Sequence, residues 1–171
     1  NMYCEDLNNR PNLSELEVEV KGSKQYDHSD LYDHTIVSAW IYNNDTNEVL
    51  LYCKNGRYNL PNGKSNPNES PYLSIKRIMN ESFNVLVKKS KRVNKFNKTY
   101  IRKDNEDIEH VVKTIQYSYY VINYTGQLYY NCDEFKYVNL NDIDISLADD
   151  QLKKSINHFK KTLERAGKSE K

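Results

Sequence analysis

The segment from Gly63 to Val85 carries the charged residues best suited to phosphate chemistry. Glu69 precedes a predicted helix, and Arg77 and Glu81 lie on that helix. One or two carboxylates can hold Mg²⁺ when substrate phosphates and water supply its other ligands.

A dense run of lysine and arginine follows this segment. It contains Lys88, Lys89, Lys91, Arg92, Lys95 and Lys98, and Tyr100, Arg102 and Lys103 continue it. Clustered cations attract RNA and other polyanions through counterion release, and Tyr or Arg can stack on unpaired bases. Lysines also protect exposed sheet edges against pairing with other strands. The run is compatible with either a polyanion-binding surface or a solvated sheet edge.

Histidine and aspartate recur in residues 26–30 and 32–34, and both are suitable metal ligands. Their spacing matches no common metal site. We interpret this stretch as a polar lead-in to the first strand.

Apolar residues at 35–42 and 48–53 predict a hairpin, because a polar cluster at 43–47 separates them. Ser70 is a good N-cap, and Pro71 suits the first helical position. Apolar residues recur at helical spacing up to Phe83, and Asn84 favours a left-handed helix terminus. We therefore expect a helix from Pro71 that ends near Phe83.

The second half of the chain predicts more sheet and a final helix. β-Branched and aromatic residues mark strands at 111–123 and 135–140. Leu152, Ile156, Phe159 and Leu163 share one helical face, with Asp149 and Asp150 near its start and Gly167 just past its end. The chain is thus expected to contain an amphipathic C-terminal helix.

Length and composition favour one domain in a reducing compartment. The 171 residues suffice for one core, and the formal net charge of +1 does not identify a partner. Three cysteines form no metal or redox motif, and apolar runs are too short to span a bilayer. We expect an N-terminal arm at 1–33, a domain at 34–167, a tail at 168–171, cytoplasmic localisation and no membrane partner.

The spacing from Gly63 to Val85 resembles the Nudix box, the signature of hydrolases that cleave nucleoside diphosphates linked to another moiety. The family pattern is Gly, five residues, Glu, seven residues, then Arg-Glu-apolar-x-Glu-Glu-x-Gly-apolar. Six of its nine defined positions are retained, by Gly63, Glu69, Arg77, Met79, Glu81 and Val85. The predicted hairpin before the box and the predicted final helix also resemble the segments that usually flank the box in this family. The resemblance implies a Nudix-type α/β/α sandwich with a mixed sheet, and it is weakly nearest the diphosphoinositol and diadenosine polyphosphate branch.

The departures from the pattern fall on the residues that carry its chemistry. Ile78 and Ser82 replace two carboxylates of a helix face where three glutamates can converge on Mg²⁺, and Asn84 replaces glycine. Only Glu81 remains on that face, and the resemblance makes it a candidate ligand for a weak magnesium site that depends on bound substrate. Ile78 could instead make an apolar contact that glutamate could not make. The resemblance therefore implies a degenerate box.

The resemblance also assigns roles outside the helix face. It implies that Glu69 and Arg77 brace the box loop against the helix. It places Arg57, Tyr58, Gly63 and Lys64 along a ligand cleft, and it makes Glu106 and Glu109 of the acidic stretch 104–109 candidates for a compensating catalytic carboxylate. An ordinary solvated loop is the alternative for that stretch.

Three functions remain open. The first is a catalytically impaired Nudix-fold pseudoenzyme that binds a nucleotide in the cleft, or RNA or a ribonucleoprotein on the basic surface. The second is a Mg²⁺-dependent pyrophosphohydrolase of dinucleotide polyphosphates, diphosphoinositol polyphosphates or capped RNA. The third is a scaffold that binds another protein.

Overall fold

The computed structural model describes residues 34–169, in which two β-sheets lie between two α-helices. The strands are β1 (His34–Trp40), β2 (Tyr42–Asn43), β3 (Glu48–Lys54), β4 (Arg57–Asn59), β5 (Asn62–Lys64), β6 (Leu86–Lys103), β7 (Glu109–Thr125) and β8 (Phe135–Asn139). The helices are α1 (Pro71–Phe83) and α2 (Asp150–Ser169), and a short 3-10 turn (Ile145–Leu147) precedes α2.

The larger sheet is mixed and runs in the order β5-β1-β7-β6. β1 and β7 are parallel, and the other two pairings are antiparallel. The second sheet is antiparallel, with β2, β4 and β8 all paired to β3. Residues 35–42 were predicted as one strand, but the structure divides them between the two sheets at Ile41. The carbonyl of Ile41 accepts the N–H of Leu50 at 3.0 Å.

Local sequence accounts for both ends of α1. The Ser70 hydroxyl accepts the N–H of Leu73 at 3.2 Å, and Pro71 occupies the first helical turn. Asn84 adopts the left-handed conformation, with φ 61° and ψ 33°, and its N–H is donated to the carbonyl of Asn80. The predicted start, end and cap residues of this helix are thus confirmed.

Each helix covers a separate apolar core. Ile75, Ile78, Met79 and Phe83 of α1 pack with Val37 of β1 and other residues from both sheets. On the opposite side, Leu152, Ile156 and Phe159 of α2 pack with Trp40. The rings of Trp40 and Phe159 are stacked, with centroids 4.4 Å apart. These layers confirm the predicted α/β/α sandwich.

Helix α2 is anchored by polar contacts at its start. Asp149 Oδ1 accepts the N–H of Leu152 at 2.7 Å, and Oδ2 lies 3.5 Å from the Nζ of Lys98 on β6. The Asn94 amide of β6 also donates to the Ser155 hydroxyl at 2.9 Å. The helix continues through Gly167 to Ser169, beyond the end expected from the sequence.

Strand β6 agrees with the sheet-edge interpretation of the basic run, although its lysines and asparagines interrupt the apolar alternation expected of a strand. It lies at the edge of the mixed sheet and pairs along its length with β7. The predicted N-terminal arm and most of its His/Asp repeat lie outside the described residues. No helix within residues 34–169 is long and apolar enough to cross a membrane.

Candidate functional site

The box loop is held to α1 by a network around Glu69. The Arg77 guanidinium donates from Nε to Glu69 Oε2 at 2.9 Å and from Nη2 to the Lys64 carbonyl at 2.8 Å. Glu69 Oε1 also accepts from the Ser74 hydroxyl at 2.7 Å and from the N–H of Asn66 at 3.1 Å. The structure therefore brings Glu69 and Arg77 together in a bracing contact between loop and helix.

These hydrogen bonds, chiefly the one from Arg77, lower the pKa of Glu69 from its ordinary value of 4.5 to about 2. Because the folded-state pKa is lowered, the stabilisation is complete above about pH 4.5 and is lost as pH falls towards 2. We expect Glu69→Gln to lower the free energy of unfolding at pH 7 by about 1–3 kcal/mol, and by less near pH 3. Urea unfolding of the parent and of Glu69→Gln at pH 7 and at pH 3 measures this difference in free energy. An equal difference at both pH values would contradict the lowered pKa of Glu69.

Ile78 fills the space beside Gly63, at the box position where the family pattern has glutamate. Ile78 is 4% exposed and belongs to the core under α1. A Cβ atom added to Gly63 would lie 2.6 Å from Ile78 Cδ1 and 2.8 Å from Cγ1. Gly63 thus permits close approach of an apolar side chain, so this position of the box is filled by a group that cannot bind a metal ion.

Glu81 is the remaining carboxylate of the box face, and it is engaged by a cation. Its Oε2 lies 3.3 Å from Arg77 Nη1, and its side chain is 63% exposed. Ser82, beside it, is half-buried. Among residues 34–169, no three His, Cys, Asp or Glu side chains come together as a group that could hold a metal ion.

The predicted cleft residues are divided between the two sheets. Gly63 and the exposed Lys64 lie on β5, next to β1. Arg57 and Tyr58 lie on β4 of the second sheet, and Tyr58 packs against the core under α2. The side chain of Tyr58 therefore lies on the opposite side of the sandwich from α1.

The acidic stretch forms the hairpin turn between β6 and β7. Asp104 closes it by accepting the N–H groups of Glu106 and Ile108, at 2.8 and 3.0 Å, and by contacting His110 Nε2 at 2.8 Å. The contact with His110 is the main cause of the lowered pKa of Asp104.

This hairpin is remote from the box. Gly63 pairs with Val37, and Val37 pairs with Tyr117 on β7. Glu109 precedes Tyr117 by eight positions, which corresponds to about 25 Å along the strand. The structure therefore does not place Glu109, or Glu106 farther into the turn, beside the box helix.

The basic run lies on the edge strand β6. The candidates Lys88, Lys89, Lys91, Arg92 and Lys95 are all exposed. Lys98 differs, because its side chain is only 5% exposed and faces Asp149. No local pattern around Lys98 predicts this burial, because the partner carboxylate is distant along the chain.

Tyr117 was not predicted as a site residue. Arg92 Cζ lies 6.0 Å and Lys95 Nζ lies 5.6 Å from the centroid of its ring. Beside it, burial raises the pKa of the Tyr119 phenol, and the nearby Arg92 opposes that rise. The alternating aromatic residues of β7 are the sequence signal that could have identified this cluster.

No protein-family model matches the sequence, and no curated protein matches it significantly. Solved structures do share its architecture. The chain is similar to the E. coli ORF135 protein, with a TM-score of 0.55 and 14% identity over 74% of this chain and 88% of that protein.

Two further structures show the same likeness. The MutT Nudix hydrolase from Burkholderia pseudomallei has a TM-score of 0.53 and 12% identity, over 74% of this chain and 97% of the hydrolase. The MutT protein from Methanosarcina mazei Go1 has a TM-score of 0.53 and 15% identity, over 76% and 94% of the two chains. Together with the layered sheets and the helix at the box position, these similarities show that the chain has the Nudix fold.

Proposed function

We propose that this chain is a catalytically impaired member of the Nudix superfamily that binds a phosphate-rich ligand, either a nucleotide or RNA. The observation that carries the loss of catalysis is the contact of Ile78 with Gly63. A buried aliphatic side chain can neither bind a metal nor accept a proton. Loss of a general base typically slows a reaction by about 100- to 10,000-fold.

Retention of the fold around the changed box supports a binding role. Glu69 and Arg77 still brace the loop, at 2.9 Å, so the architecture persists without the carboxylate face. Arg77 also forms an ion pair with Glu81, so the guanidinium competes with any metal for that carboxylate. The box helix therefore offers Mg²⁺ one carboxylate, Glu81, and that carboxylate is already paired with Arg77. The exposed cations of β6 offer a means of binding phosphate without a metal ion.

We expect the protein to bind single-stranded RNA in the presence of EDTA, with an affinity that falls steeply as salt rises. Each phosphate contact contributes a slope of about −0.7 in log affinity against log salt for single strands. Fluorescence anisotropy at several salt concentrations measures the slope. ATP and a ribonucleoprotein can be tested in the same buffer as alternative ligands.

The matched comparison is a variant in which Lys88, Lys89, Lys91 and Arg92 are replaced by serine. It should bind RNA more weakly and with a shallower salt dependence than the parent, because up to four phosphate contacts are removed. Equal and salt-insensitive affinities of the two proteins would reject polyanion binding on β6.

A further inference from the structure

Strand β6 divides its cations between the two faces of the mixed sheet. Lys91 pairs with Tyr120, whose ring contacts Phe159 of α2 edge-on, with centroids 5.2 Å apart. Arg92 pairs with Tyr119, which belongs to the core under α1. Directly opposed residues of an antiparallel pair project to the same face. Lys91 therefore lies on the α2 face, and Arg92 lies on the α1 face.

A bulge keeps the next cation on the α1 face. The register of β6 against β7 shifts between Arg92 and Asn94, so that Lys95 pairs with Tyr117. In a regular strand, residues three positions apart project to opposite faces. The shift instead places both cations on one face, within 6.0 Å of the centroid of the Tyr117 ring.

No carboxylate neutralises these two cations within the described part of the chain, and both are exposed. Their neighbour Lys98, in contrast, is buried against Asp149. The two like charges beside one ring repel each other, and a bound anion would relieve that repulsion. Contact with the ring also limits the motion of the cations, which lowers the entropy lost when they bind a ligand.

The Tyr117 cluster shares its face of the sheet with the box. Gly63, Val37, Tyr117 and Lys95 are successive partners across the four strands. Three strand spacings separate the ends of this row, or about 14 Å. A ligand at the cluster therefore lies on the same side of the sandwich as α1 but does not need the carboxylates of the helix.

Resting on the proposed function, we infer that Arg92, Lys95 and Tyr117 form a phosphate site that takes a phosphate ester without a metal ion. Phosphate oxygens accept hydrogen bonds from the guanidinium and the ammonium. The other cations of β6 then contribute long-range attraction and few direct contacts. The phosphate can belong to a nucleoside polyphosphate or to single-stranded RNA.

The test compares two variants that each remove two positive charges. Arg92→Gln/Lys95→Gln removes the site on the α1 face, whereas Lys154→Gln/Lys161→Gln removes two exposed cations of α2. Binding of a fluorescein-labelled oligouridylate is measured with EDTA at several salt concentrations, with ATP as a competitor. The single variants Arg92→Gln and Lys95→Gln provide an independent check should the double variant fold poorly.

The site variant should bind oligouridylate roughly 10-fold or more weakly, and its log–log salt slope should be shallower by about 1.4, because two contacts are lost. The control should keep nearly the parent slope. If ATP displaces oligouridylate, the site exists and accepts the phosphate of a nucleotide. If oligouridylate binds but ATP does not displace it, the site exists and its phosphate comes from RNA. If both double variants bind oligouridylate equally more weakly than the parent, the inferred site is wrong but the proposed polyanion binding stands. If the parent itself binds no oligouridylate and no ATP, both the inferred site and the proposed function are wrong.

Discussion

Ile78→Glu is expected to lower the free energy of unfolding by roughly 3–5 kcal/mol at pH 7. The substitution removes apolar contacts from a position that is 4% exposed, and it buries a carboxylate against Gly63. Burial raises the pKa of the introduced carboxyl group, so the loss should be smaller at pH 5 than at pH 8. Urea unfolding measures the effect, and Ile78→Gln serves as the uncharged control.

Adding Ser82→Glu to Ile78→Glu should make the stability of the protein depend on Mg²⁺. The two new carboxylates and Glu81 restore the three ligands of the box face, and ligands of one metal act as a unit. Metal that binds only the folded state stabilises it by about 2.7 kcal/mol at a concentration 100 times Kd. Thermal unfolding with and without Mg²⁺ should show this gain in the double variant, a smaller gain in Ile78→Glu, and none in the parent. A gain of the same size in the parent would mean that its box still binds metal.

Asp149→Ala is expected to lower the free energy of unfolding by about 2–4 kcal/mol. Asp149 both caps α2, through the N–H of Leu152, and faces the buried Lys98 of β6. The partial exposure of Asp149, 32% of its side chain, keeps the expected loss below that of a fully buried pair.

Two companion variants separate the contributions of Asp149. Asp149→Asn retains an oxygen that can cap the helix but removes the negative charge. Lys98→Met combined with Asp149→Asn removes both charges and should recover much of the loss. A change within about 0.5 kcal/mol for Asp149→Ala, typical of ordinary surface positions, would show that the contact does not stabilise the helix.

The parts of the fold that were predictable from the sequence depend on local chemistry. Ser70, Pro71 and Asn84 define α1 because capping and a left-handed terminus involve only nearby residues. The apolar face of α2 is equally local, since Leu152, Ile156 and Phe159 recur at helical spacing. The layer order was implied by the resemblance to the Nudix box, and it agrees with two amphipathic helices covering the two faces of the sheets.

The parts that were missed depend on contacts between distant segments. The sequence allowed a sheet edge at the basic run, but it did not identify the length of β6 or its pairing with β7, because β7 supplies the hydrogen-bond partners. Lys98 is buried because Asp149 faces it, and Lys95 meets Tyr117 because of a bulge. At the box, the spacing identified Ile78 as a substitution, but only the packing shows that it occupies the space beside Gly63.

The most direct test of the proposed loss of catalysis is a hydrolysis assay of the parent beside Glu81→Gln, with Mg²⁺ or Mn²⁺ present. The substrates are dinucleotide polyphosphates, diphosphoinositol polyphosphates and capped RNA. The proposal predicts very slow or no turnover by the parent, because Ile78 cannot bind metal and Arg77 engages the remaining Glu81. Turnover of any substrate at about 1 per second or faster, abolished by Glu81→Gln, would contradict the proposal and establish a working pyrophosphohydrolase.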